Sequence, residues 1–448
     1  MRDQGKRHHK EQLESLRFRE PNLSPQQTSP VLSPTNPRRV LRIANGRILR
    51  NHALITDDLW IEDGKIINPA PVFWDAKSKP HMVVDAHGAI ISPGYIDLQI
   101  NGEKSGAFGV DFSDADDLEK KLPALKKALL KSGCTGFCPT IVSTSPEQYR
   151  KLIPKLQPSA GSIRNGAANL GIHLEGPFIS PKVAGAHPSD IVREAPGSWK
   201  DFATTYGFDR DDCERRRGNG DGEIAQRAVR MITCAPEVQG VMKTIPDLVR
   251  RGFVVSVGYT NSTTAEAEEA ISSGASFVTH LFNGMQPFHH RDPGTIGLLG
   301  STKPSKRPFY GIICDGLHSH PFSVRIAHNA HRDGIVLVTD AIPAAGMPPG
   351  KYKFSSTVTE KHKDAAYIEG SDALAGSVIM MDECVRNFKK FSRCTTVEAL
   401  EAATLNPAQV LGIQKTKGTL DFGADADLLF LDDDLNVKRV FIAGKELV

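Results

Sequence analysis

The chain has 448 residues, 40% of them hydrophobic and 24% charged, with a formal net charge of +3. That composition is ordinary for a soluble globular protein, and so small a charge gives no reason to expect nucleic acid or an anionic membrane as partner. No apolar run approaches the roughly 20 residues of a bilayer span, the N-terminus lacks the apolar core of a signal peptide, and a cytoplasmic protein is expected.

Residues 1–38 are rich in Arg, His, Ser and Pro without apolar periodicity, and read as a disordered tail. Asp3, Glu11, Glu14 and Glu20 argue against a mitochondrial presequence there. From Val40 the pattern changes to short strands with turn signals: VLRIANGRILR, then DDLWIEDGKIINP with Asp63-Gly64 as a hairpin turn, then HMVVDAHGAIISPG. The stretch GTLDFGADADLLFLDDDLNVKRVFIAGKELV has the same character, with Ala443-Gly444 near a last turn. The two ends are therefore expected to build one small β-sandwich domain, from 39–91 and 413–448, around an inserted domain of 92–412.

That middle region alternates strand and helix. Buried strands are predicted at 95–100, 136–142, 170–174, 229–234, 253–257, 277–281, 310–314 and 335–338, with helices at 114–132, 146–156, 264–272 and 321–331. These runs suffice for an α/β fold of the (β/α)8, TIM-barrel type. An open doubly wound sheet is the weaker alternative, because no G-x-G-x-x-G loop follows the first strand. The charged, Gly-rich stretch 210–222 reads as a surface insertion. The seven scattered cysteines fit reduced thiols, and Cys134 with Cys138 lacks the second pair that a structural zinc needs.

In such a barrel, chemistry collects at the carboxyl ends of the strands. Here those ends read Asp97-Leu98-Gln99-Ile100-Asn101, His173-Leu174-Glu175-Gly176, Gly258-Tyr259-Thr260, His280 with Asn283, Asp315-Gly316-Leu317-His318, and Thr339-Asp340. Glu175 and His280 are oxygen and nitrogen donors of the kind zinc accepts, and Asp340 is placed to move a proton. Taken singly, each has a plainer use: Glu175 as a cap or ion-pair partner, His280 as a hydrogen-bonded core residue, Asp340 as an N-cap. Their coincidence on one rim is what favours a site. His289 and His290 lie in the loop QPFHHRDPG and read as solvated or packed behind the site.

The segments PGYIDLQING, FGVDFS, HLEGPFIS, GAHP, THLFNGMQPFHHRDPG, DGLHSHP, LVTDAIPAAG, LAGS and KGTLDFGADAD stand in that order along the chain. On these the sequence resembles the animal-type N-acetylglucosamine-6-phosphate deacetylases of the amidohydrolase superfamily. The resemblance implies hydrolysis of N-acetylglucosamine 6-phosphate to glucosamine 6-phosphate and acetate, with one divalent metal ion, zinc. It makes Glu175 and His280 metal ligands and Asp340 the general base and acid. Gln99 and Asn101 stand where many amidohydrolases have the His-x-His of a second metal. Ala186 and His187 match residues near the acetamido group, and Asn283 and Gly284 match contacts to the sugar phosphate, with Gly284 where Ala is usual. Arg291 matches an arginine lent to the phosphate across a homodimer interface. Asp315, Gly316, Leu317 and His318, with Leu374, Ala375 and Gly376, match segments that line the sugar.

Two departures bear on activity. Tyr259 replaces a metal-ligand histidine of the family, so it either ligates as phenolate, or binds a water that does, or leaves the site impaired. The impaired case is a second reading: a relative that binds sugar phosphates or a protein partner without catalysis. A third reading is an amidohydrolase acting on cyclic amides, with no use for Arg291. The stretch 102–109, GEKSGAFG, is also longer than in relatives and lies beside the first strand end.

Overall fold

The computed structural model describes residues 39–75, 79–105, 108–116, 118–208, 226–303 and 307–447. The expected tail at 1–38 and the insertion at 210–222 lie outside them.

Eight parallel strands form the centre, each hydrogen-bonded to the next in sequence: Tyr95–Ile100, Cys134–Val142, Ile172–Glu175, Val229–Cys234, Val254–Val257, Phe277–Val278, Phe309–Ile312 and Ile335–Leu337. The ring closes where Ile100 bridges Ala341 in parallel, with the Asp340 N–H donating to the Gln99 carbonyl and the Asn101 N–H to the Ala341 carbonyl, both at 2.8 Å. The strands are apolar runs rather than alternating ones because both faces are covered; all nine residues of Cys134–Val142 are buried. Helices return the chain between strands, several with local start signals. Ser145 caps Pro146–Leu152, and Thr263 with Glu266 makes a capping box on Thr264–Ser272. The α/β barrel expected from the alternation is the observed fold.

Both ends of the chain meet in an eight-stranded sheet, where Leu428–Leu431 pairs antiparallel with Ile90–Pro93. The sheet has its own apolar cluster, including Ile43, Leu59, Ile91, Leu428 and Phe441. Asp63 and Gly64 have φ of 49° and 76°, and Ala443 and Gly444 have 49° and 72°. Both pairs are thus two-residue hairpin turns with two left-handed residues, as the sequence predicts for Asp63-Gly64.

Boundaries shift for identifiable reasons. The helix expected from 114 begins at Leu118, because Asp111 and Asp114 accept hydrogen bonds from the N–H groups of Ser113 and Asp116 and hold turns instead. The strand expected at 170–174 is Ile172–Glu175, set off from Ala168–Asn169 by Gly171 at φ 116°. The strand expected at 277–281 stops at Val278, since His280 and Phe282 adopt positive φ. The stretch 102–109 contributes a hairpin, Gly102–Ser105 against Phe108–Asp111.

Candidate active site

Three of the rim residues have strained backbones. Tyr259, His280 and Asp340, which follow the fifth, sixth and eighth strands, have φ of 48°, 23° and 48°. Bulky residues rarely occupy that region, and strain of this kind concentrates where side chains must be aimed rather than where they merely pack.

The aim is toward Glu175 at the end of the third strand. Gln99, buried within the barrel, donates through Nε2 to Glu175 Oε1 at 2.6 Å and to Asp340 Oδ1 at 3.2 Å. Asn101 donates through Nδ2 to the same Asp340 oxygen at 2.7 Å. Both amides are spent on Oδ1, which fixes the carboxyl plane and leaves Oδ2 as the oxygen available to a reactant. Burial pushes Asp340 up to about 6, opposed by the charge of His318 and by these amide hydrogen bonds. Burial and the charge of Asp340 push Glu175 well above the usual carboxylate range.

Imidazoles face this acidic pair. His280 Nε2 lies 3.7 Å from Glu175 Oε1 and His187 Nε2 lies 3.8 Å from Glu175 Oε2. Burial lowers their pKa values to about 4 and about 3. Both are therefore neutral near pH 7 and able to act as a ligand or as a single-proton donor. For His187 the tautomer follows from geometry. Its Nδ1 receives the Ser143 backbone N–H at 3.2 Å and contacts the Ser143 hydroxyl at 2.7 Å. A backbone N–H only donates, so Nδ1 is an acceptor and the ring proton sits on Nε2. That Nε2 is buried with no protein hydrogen-bond partner and points into the site.

Beneath this rim runs a directed chain of hydrogen bonds. His173 Nδ1 contacts the Leu98 carbonyl at 3.0 Å, so it donates, and Nε2 accepts from the Thr233 hydroxyl at 2.7 Å. Thr233 must then accept from Thr279 at 2.7 Å, and Thr279 from Ser256 at 2.5 Å. Both ring nitrogens of His173 and the hydroxyls of Thr233, Thr279 and Ser256 thus each have a partner.

Asn101, Glu175, Ala186, His187, Tyr259, Asp340, Ala375 and Gly376 line one pocket together with Val142, Phe354 and Ser355, about 30 Å³ in volume. That is room for a water and not for a sugar ring. Asp315 accepts from the N–H groups of Leu317 and His318 at 2.8 Å and contacts His318 Nδ1 at 2.5 Å. Burial alone would lower the pKa of His318, but Asp315 and the charge of Asp340 raise it above its ordinary value. Gly316 turns that loop at φ 81°. Leu317 is 48% exposed and Leu374 is half-buried. Asn283 is half-buried and donates to the Leu281 carbonyl at 3.4 Å. Arg291 is exposed on its loop, 3.4 Å from His290 Nε2. Ser143, Phe354 and the floor residues Thr233 and Thr279 were not among the residues expected from sequence.

The donors that could hold a metal are Glu175 and His280. Two ligands on one tetrahedral zinc stand about 3.4 Å apart at ordinary bond lengths, close to the 3.7 Å between their donor atoms. A neutral imidazole beside two buried carboxylates is the donor set a dication stabilises. The residues fit a divalent ion in this respect. Among the described residues no cluster of three or more His, Cys, Asp and Glu side chains is arranged to hold one. Tyr259 stands beside the pair, its ring centroid 4.8 Å from that of His280.

A closed parallel barrel with carboxylates and neutral imidazoles at its C-terminal rim defines a hydrolase built around activated water. The chain belongs to the amidohydrolase family, whose model matches residues 90–447; enzymes of that superfamily are typically metal-dependent. It is 45% identical over 412 residues to N-acetylglucosamine-6-phosphate deacetylase of Danio rerio, covering 91% of this chain and 96% of that protein. It is 44% identical to the Homo sapiens enzyme of that name, covering 91% and 95%. Among solved structures, a Mycobacterium smegmatis N-acetyl-D-glucosamine-6-phosphate deacetylase variant in complex with N-acetyl-D-glucosamine-6-phosphate superposes with a TM-score of 0.73. It is 27% identical and covers 92% of this chain and 99% of that one. Among the described residues no helix is long and apolar enough to cross a membrane.

Proposed function

We propose that this protein hydrolyses the acetamido group of N-acetylglucosamine 6-phosphate, giving glucosamine 6-phosphate and acetate. The observation that carries the reading is that Asp340 and His187 line one pocket with Glu175, each with one polar atom fixed by the protein and the other left free of protein hydrogen bonds.

Glu175 and His280 would hold one divalent ion, zinc, which when bound supplies Lewis acidity toward water and the amide carbonyl. Asp340 Oδ2 takes a proton from the attacking water as its oxygen bonds the acetyl carbon. His187 donates its Nε2 proton in a hydrogen bond to the carbonyl oxygen as negative charge grows there. Collapse breaks the carbon–nitrogen bond, and Asp340 returns its proton to the amine. Ala186, Leu374, Ala375 and Gly376, with Asp315, Gly316, Leu317 and His318, would border the sugar. Asn283, Gly284 and an Arg291 from a second copy in a homodimer would take the phosphate, the guanidinium matching it bidentately.

Free acetate released from the sugar phosphate by purified protein, before and after chelation and with zinc restored, tests the reading. Loss on chelation and recovery with zinc are expected; no acetate with zinc, cobalt or manganese would refute it. Arg291→Ala should raise KM for the phosphorylated substrate at least tenfold, and an unchanged KM would remove Arg291 from the site.

A further inference from the structure

We propose that the phenol oxygen of Tyr259 is the third protein donor of the metal site, and that Gly284 is the residue that makes room for it. The inference rests on the metal site read above, with Glu175 and His280 as the other donors.

The Tyr259 ring is wedged edge-to-face between two imidazoles, its centroid 4.4 Å from that of His187 and 4.8 Å from that of His280. Its backbone is held as firmly as its ring. The Tyr259 carbonyl accepts from the Ser180 N–H at 2.9 Å, and the next residue, Thr260, donates its N–H to the Gly284 carbonyl at 3.0 Å. Gly284 itself has φ 58°. A Cβ there would lie 2.9 Å from Tyr259 Cδ1, 3.2 Å from Cε1 and 3.4 Å from His280 Cε1. Even a methyl group would therefore force the Tyr259 ring to shift, while meeting the His280 imidazole at ordinary contact distance.

The ring packs against both imidazoles and lines the same pocket as Glu175 and Asp340. A catalytic zinc takes three protein donors and keeps one position open, and a phenol oxygen completes the count. Burial and, after it, those carboxylates push the phenol above its ordinary range; contact with a dication acts in the opposite sense. On coordination the phenol O–H bond breaks, its proton passes to buffer, and an oxygen–metal bond forms.

The test compares the parent protein with Tyr259→Phe, Tyr259→His and Gly284→Ala. Zinc affinity is read by competition with a chromophoric chelator, and iron(III) loading by visible absorption, with melting temperature as the check on folding. We expect zinc to bind Tyr259→Phe more than about 100-fold and Gly284→Ala about tenfold more weakly than the parent. The iron(III) form of the parent should show a phenolate-to-iron charge-transfer band that Tyr259→Phe and Tyr259→His lack. If Tyr259→Phe does not fold, the band in the parent and its loss in Tyr259→His decide the matter. Equal zinc affinity in parent and Tyr259→Phe, or no band in the iron-loaded parent, overturns this inference and leaves the deacetylase reading standing. Zinc binding to Tyr259→His but not to the parent also overturns it. Failure of zinc to bind either one overturns the metal site itself.

Discussion

His187 Nδ1 is held by both the backbone N–H and the hydroxyl of Ser143, at 3.2 and 2.7 Å. The relationship fixes which imidazole nitrogen carries the proton, and so makes His187 a donor toward the pocket. Ser143→Ala removes one of the two contacts and keeps the other. We expect kcat to fall about tenfold with KM nearly unchanged, because the orientation of a hydrogen bond made to developing charge is what is lost. Ser143→Thr keeps the hydroxyl and should retain most activity. Steady-state kinetics on both variants check this; a drop carried by KM alone would assign Ser143 to substrate binding instead.

Asp340→Asn should lower kcat by about 10²- to 10⁴-fold, since an amide cannot take the proton from water. It should at the same time stabilise the metal-free protein at alkaline pH. Folding raises the pKa of Asp340 from 3.8 to about 6. The stability this residue contributes is therefore complete below pH 3.8 and lost as pH rises through about 6. Above that, the folded state carries a buried carboxylate that an asparagine would not impose, while the asparagine oxygen still accepts from Gln99 and Asn101. Urea unfolding of the chelated protein at pH 8 is the measurement, and a variant less stable than its parent there would contradict the argument.

Phe354 and Ser355 line the pocket of about 30 Å³, which must widen to take a sugar ring, and the element that carries them is a candidate for the movement. Phe354 ends the strand Gly350–Phe354, which pairs with Thr357–Lys361 in a sheet of three short strands outside the barrel. Its small apolar cluster, Val142, Ile342, Ala344, Phe354 and Ala366, is separate from the main core. Such a unit opens at lower cost than barrel strands. Hydrogen exchange should find the amides of 357–361 exchanging faster than those of the barrel strands, and glucosamine 6-phosphate should slow them. Exchange unaffected by the ligand would mean that the sugar enters by another route.

The barrel was legible because parallel strands covered on both faces are apolar throughout, and the two-residue turn at Asp63-Gly64 because left-handed pairs demand few residue types. The rim residues were legible from their places at strand ends and from the motifs around them. What stayed hidden depends on register between distant strands. Ser143 meets His187 across 44 positions, and Gln99 reaches Glu175 and Asp340 across 76 and 241. A hydroxyl or amide in an apolar run looks the same whether it touches a catalytic group or the next backbone carbonyl. The fit of Tyr259 against Gly284 was equally hidden, for each appeared as a separate departure and only their separation in space joins them.

The polar floor of the barrel gives the last prediction. His173 is fully buried, neutral because burial lowers its pKa to about 3, and engaged at both ring nitrogens. His173→Leu has similar bulk but leaves the Leu98 carbonyl and the Thr233 hydroxyl without their partner. Thr233 can turn its proton back toward Thr279, which then must release its own to another acceptor, so the fault moves along the chain to Ser256 without disappearing. We expect a loss of about 2 to 4 kcal/mol in unfolding free energy. Glu175 lies two residues along the same strand, so zinc affinity should weaken as well. His173→Gln can donate to the carbonyl and accept from Thr233, and should recover much of both. Denaturant unfolding and chelator competition on the two variants separate the cases: equal losses would mean that the volume of the imidazole, and not the direction of its hydrogen bonds, is what the floor requires.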